Sequence, residues 1–266
     1  MNNRKPFILI VSIVLVGLVT IVSLAGILIP NFYSGETANW RAQSIGQDIV
    51  DLFVIVPCLV ITSVFAYRNN RKAMLVWGGV LCYLIYTFII YCFAVHFNRL
   101  FVVYCITLGL SFYSFIYFFL QWRQTQLQLK NTLLTKIIAV YFIVISVGFY
   151  FLWLSEIIPS AIKNTIPKSL SDVGLTTNPI HVLDLSVFLP ALFITSILLF
   201  RKKSLGFILA PVLLVFCILM NITIGSLQVI MTQRGVESGF EVTIIMSILA
   251  VFSGVLLVYY FKDIYR

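Results

Sequence analysis

Residues 51–68 read DLFVIVPCLVITSVFAYR, a carboxylate followed by sixteen uncharged residues and an arginine. With the apolar residues before Asp51, this run meets the roughly 20 residues that a helix needs to cross a hydrocarbon core about 30 Å thick. Its apolar residues fall on every side of a helix, whereas a soluble surface helix keeps a polar face. Runs of the same kind recur along the chain, near 6–29, 46–67, 73–97, 100–121, 134–158, 180–200, 204–231 and 240–261. The predicted fold class is all-α, a polytopic membrane protein of about eight spans whose first partner is the lipid bilayer.

Composition agrees with this reading. Of 266 residues, 61% are hydrophobic and 10% are charged, against about a quarter charged in a soluble domain. The formal net charge of +9 comes from basic residues in short clusters between the apolar runs, without the continuous basic face that nucleic acid requires. The run from Pro6 to Pro30 exceeds a cleavable signal core of roughly 7–15 residues, and is read as the first span. The five cysteines lie inside apolar runs with no metal-ligand spacing, and the two histidines are too few for a histidine-rich site, so neither metal nor cofactor is expected.

Basic residues give an orientation. With a cytoplasmic N-terminus, thirteen of the 18 Lys and Arg residues fall in inner segments, and five (Arg41, Arg99, Lys163, Lys168, Arg234) in outer ones. That bias is the positive-inside pattern and predicts both termini inside. Tyr67, Trp77, Trp122, Tyr259 and Tyr260 then form an inner aromatic belt, with Trp40 and Trp153 outside.

The opening stretch has a second copy. At a constant offset of 133, residues 184–201 read DLSVFLPALFITSILLFR, matching Asp, Leu, Val, Pro, Leu, Ile, Thr, Ser and Arg in nine of 18 positions. Two unrelated apolar segments would share roughly two or three. Four spans separate the copies, so the implied halves, 1–130 and 131–266, form a parallel repeat about an axis along the membrane normal. Convergence on one recipe for a span is the competing explanation.

Few polar groups lie within the spans. Ser44 with Gln47 reads as a capping box opening span two, and Asn178 with Pro179 as the start of span six, which places Asp48 and His181 in opening turns. There the helix dipole alone accounts for an acidic side chain. Asp51 and Asp184 lie about two turns in, beyond that help, and must be paired, hydrated or protonated. The candidate ligand-binding residues are therefore Asp51, Asp184, Asp48, His181, Glu156 and Arg99, gathered in an outward-facing vestibule. The alternative is that each aspartate is tied to an Arg or Tyr and fixes packing. Asn221, Thr223, Ser226 and Gln228 make span seven polar, through helix–helix bonds or a lining. The tyrosines of spans three and four read chiefly as packing, and the connector 159–179 as either a simple mobile connector or a loop across the outer mouth.

The runs 47–52 (QDIVDL), 98–104 (NRLFVVY) and 178–185 (NPIHVLDL) resemble an uncharacterised family of bacterial multi-pass membrane proteins. The resemblance implies a bacterial cytoplasmic membrane and carries no mechanism. Three functional expectations stand: a protein that binds or transports a small molecule or ion, an enzyme acting on a lipid-linked or amphipathic substrate with Asp51 or Asp184 as acid or base, and a non-catalytic partner or sensor subunit.

Overall fold

The computed structural model describes residues 4–265, with the side chains of Arg4, Lys5 and Tyr265 outside the description. Arg4, Lys5 and Arg266, counted above as inner cations, therefore drop out of any structural comparison. Eight helices are long and apolar enough to cross a membrane. They are α1 (Arg4–Leu28), α2 (Ala38–Tyr67), α3 (Arg71–Ala94), α4 (Phe101–Trp122), α5 (Thr132–Ile162), α6 (Pro179–Phe200), α7 (Ser204–Gln233) and α8 (Phe240–Asp263). Side-chain oxygens set four of the starts: Thr37, Asn70, Asn131 and Asn178 each accept a backbone N–H from the first turn they precede.

α2 starts earlier than the sequence suggested. Its cap is Thr37, and Ser44 lies inside the helix with its hydroxyl bonded to the carbonyl of Trp40. Asp48 is thus ten residues past Ala38, about 15 Å along the axis, and the dipole of an opening turn does not explain it. The polar run Ala38–Gln47 concealed this start, since its apolar content falls below that of a span. Asn178 and Pro179 do open α6.

The bundle has a basic end and an acidic end. Arg68, Arg201, Lys202 and Lys203 lie in the α2–α3 and α6–α7 turns of the basic end, and Arg71 and Lys72 open α3 beside them. There β1 (Gln128–Leu129) pairs antiparallel with β2 (Ile264–Tyr265), and Asp263 accepts the backbone N–H of Asn131 at 2.7 Å. At the acidic end, Glu36 accepts the His96 backbone N–H at 2.7 Å and lies 2.9 Å from its Nδ1, joining the α1–α2 and α3–α4 connectors. The α5–α6 connector holds a short helix, Lys168–Val173, whose last carbonyls lie within 3.3 Å of the Thr37 hydroxyl.

α3 and α7 occupy the centre and pack against each other, while α8 and α5 run along the outside. The α3–α7 contact is close because Gly79 has no side chain: a methyl there would stand 2.8 Å from the carbonyl oxygen of Val212. Around the bundle, Phe53, Phe151 and Val251 are each more than two-thirds exposed, a surface suited to lipid and costly in water. Several of the residues read as an aromatic belt bond to polar partners within the bundle. Trp77 is fully buried and donates to Ser12 at 2.9 Å, Trp40 donates to the Ala94 carbonyl at 2.8 Å, and Tyr260 is bonded to the Phe207 carbonyl. Tyr67 and Tyr259 of the same set are exposed.

The two copies of the DL–P stretch share a conformation as well as a sequence. Residues Asp51–Ile55 and Asp184–Phe188 each form one wide π-turn, closed by Val56 N–H to the Asp51 carbonyl and by Leu189 N–H to the Asp184 carbonyl. The cause is local: Pro57 and Pro190 have no N–H, and in a regular helix each ring would clash with the carbonyl four residues back. An extra residue in the preceding turn removes that clash. Both helices then end at Arg68 and Arg201, followed by left-handed residues at Asn69 (φ 63°) and Lys202 (φ 51°), again 133 apart.

Candidate functional site

Asp48 is completely buried between α1, α2 and α3. Tyr33 and Tyr91 each donate a hydroxyl hydrogen to it at 2.7 Å, one to each oxygen. Burial and the adjacent carboxylate hold the Tyr33 phenol well above its ordinary value, so it stays protonated and acts as the donor. Gly26 makes room, because a side chain there would coincide with Oδ2 of Asp48.

Asp51, one turn further along the same face, is also completely buried. Its Oδ1 accepts from Gln47 Nε2 at 2.9 Å and from the Tyr83 hydroxyl at 3.0 Å, while Oδ2 has no hydrogen-bond partner. Tyr83 also accepts from Gln47 at 2.6 Å and lies 2.8 Å from the Thr223 hydroxyl. The network therefore crosses from α2 through α3 to α7.

Asp184 occupies the position in α6 equivalent to Asp51, but its partners differ. Tyr86 donates to Oδ1 at 2.9 Å and Trp153 Nε1 to Oδ2 at 2.8 Å. His181, one turn earlier, packs its ring against Trp153 with centroids 4.5 Å apart, and its Nε2 is buried without a hydrogen-bond partner.

None of these three aspartates is paired with a cation. Among the described residues the one ion pair is Glu36 with His96. Four of the six sequence candidates thus lie in two buried groups, Asp48 with Asp51 and His181 with Asp184. Of the other two, Arg99 stands apart and Glu156 lies within electrostatic reach of His181. Arg99 is exposed on the α3–α4 connector and bonded to none of the aspartates. Glu156 accepts the Ser169 backbone N–H at 2.9 Å and so ties the short connector helix to α5.

A cavity of about 340 Å³ is framed by α2, α3, α5, α6, α7 and α8. Asp184 stands on its wall, together with Gln47, Asn221, Thr223 and Gln228. Aromatic rings make up much of the rest: Tyr86, Phe149, Trp153 and Phe216. Asp51 sits behind this wall, reached through Gln47, Tyr83 and Thr223. Gln228 also borders a second, open depression of about 680 Å³ at the acidic end, rimmed by Lys168, Asp172 and Glu237. The depression and the cavity thus share a side chain, and the short connector helix forms part of the rim.

Tyr33, Tyr83, Tyr86, Tyr91 and Trp153 were not singled out from the sequence as carboxylate partners. One signal was available: Tyr83, Tyr86 and Tyr91 lie in the half of α3 nearest the acidic end, at depths similar to the aspartates. Among the described residues no three His, Cys, Asp or Glu side chains gather as metal ligands would. Comparison with family models, curated proteins and solved structures finds no match.

Proposed function

We propose that the protein binds a small molecule or ion in the cavity between its halves and carries it across the membrane. One observation supports this most: the Asp184 carboxylate stands on the wall of a mostly apolar cavity at spanning depth, held only by neutral donors. Neutral hydrogen bonds steady a carboxylate but leave its charge uncompensated, and ionisable groups at such depth usually serve a transported or bound species. The cavity volume falls within the usual range of small-molecule sites, about 300–1,000 Å³.

The internal repeat belongs to the same reading. A shared wide turn, helix end and left-handed residue at one offset, with Gly79 against Val212 and those two also 133 apart, fit a pseudo-two-fold axis between α3 and α7. Parallel repeats that enclose a central site near the bilayer midplane are one known plan for transporters. The bias of Lys and Arg toward the basic end fits a cytoplasmic basic end, which directs the depression outward in a bacterial cytoplasmic membrane.

Native mass spectrometry of protein released in mild detergent tests the binding reading. A defined non-lipid mass is expected on wild type and not on an equally folded Asp184→Asn variant. Wild type released without any bound mass, or the same mass on both proteins, would contradict it.

A further inference from the structure

We infer that the ligand of the Asp184 cavity is a lipophilic organic cation, an amine or quaternary ammonium carrying an apolar group. This rests on the reading of the cavity as a ligand site and names its substrate class.

Charge is the first argument. A carboxylate offers about four lone-pair positions, and Tyr86 and Trp153 use two of them. Two remain for a ligand. The nearest protein rival for that charge is His181, which packs on the Trp153 ring, donates no hydrogen bond to Asp184 and makes no ion pair with it. A cationic ligand would supply what the protein does not.

The walls give the second argument. The groups that hold Asp184 are themselves aromatic, so the rings of Tyr86 and Trp153 flank the carboxylate. Tyr86 meets Phe216 edge-on with centroids 5.5 Å apart, and Phe188 packs on Phe216 at 4.2 Å. Ring faces attract ammonium groups, and aromatic enclosures are a recurrent means of recognising them. An anion would meet a carboxylate with no cation beside it in a largely apolar wall. A small hydrated metal ion would find one carboxylate and no second acidic ligand on this wall. The rim agrees in sign, with Asp172 and Glu237 against Lys168.

The test is equilibrium binding to the purified full chain, followed by tryptophan fluorescence, with phenyltrimethylammonium, benzyl alcohol and benzenesulfonate as probes. These share a ring and differ in charge. Phenyltrimethylammonium is expected to bind wild type at least about tenfold more tightly than either other probe, and Asp184→Asn to remove that preference. Phe216→Leu keeps the carboxylate and is expected to weaken the cation between about 2- and 30-fold, which guards against misfolding of the aspartate variant. Benzyl alcohol binding as tightly as the cation, with Asp184→Asn indifferent, would overturn the cationic class while leaving the cavity a ligand site. Binding of none of the three probes to wild type would also overturn it; the cavity reading would then stand or fall on the bound mass sought by native mass spectrometry.

Discussion

Asp51 and Asp184 sit on the same wide turn, six residues before the same proline, yet one is sealed in protein and the other faces a cavity. The helix geometry is shared; the neighbours differ. Around Asp51, Gln47 and Tyr83 close over the carboxylate, with the Asp48–Tyr33–Tyr91 cluster one turn away. Around Asp184 the side chains are large rings that meet at angles, and they leave about 340 Å³ unfilled. A shared wide turn thus sits in two different surroundings: Asp51 is tied to α3 through Tyr83, whereas Asp184 borders a cavity.

That contrast can be broken most severely at Gly26. Any side chain there must displace Asp48, so Gly26→Val is expected to lower stability by about 3 kcal/mol or more and to abolish a monodisperse peak in detergent. Asp48→Ala should cost about 2–4 kcal/mol, because two buried hydroxyls lose their acceptor. Thermal unfolding in one detergent would compare it with Asp184→Asn, which is expected to change stability by less than about 1 kcal/mol. Equal losses at the two sites would erase the distinction between lock and ligand group.

Removing single hydroxyls sharpens the comparison further. Tyr83→Phe deletes the junction among Gln47, Asp51 and Thr223, at an expected cost of about 2 kcal/mol; Tyr86→Phe deletes one of two bonds to Asp184 and should cost nearer 1 kcal/mol. The same melting series checks both. The smallest effect is expected at the acidic end, where His96→Ala removes an ion pair whose histidine is 62% exposed, and the change should stay within about 1 kcal/mol.

The spans were legible because their signal is length and apolarity, which tertiary contacts do not change. The internal match was legible too, since Asp51 and Asp184 with their prolines and arginines align without a gap. The start of α2 was not: Ala38–Gln47 reads as a polar connector, and only packing against α1 and α7 makes it helix. Asp51 and Asp184 stood out by their depth and Asp48 did not; a tie to some Tyr was foreseeable but not to which one, because a tyrosine in an apolar run looks the same whether its hydroxyl meets a carboxylate or a gap. Arg99 was drawn in by its charge, and the fold leaves it exposed on a connector. The cavity was beyond sequence altogether, since it depends on how six helices fail to fill one space.

The most direct test of the account is uptake of phenyltrimethylammonium by proteoliposomes, with wild type, Asp184→Asn and protein-free liposomes measured side by side. Saturable uptake by wild type that falls to the protein-free level in Asp184→Asn is the expected result. Uptake by the variant equal to wild type, or none by wild type, would contradict a carrier built around that carboxylate.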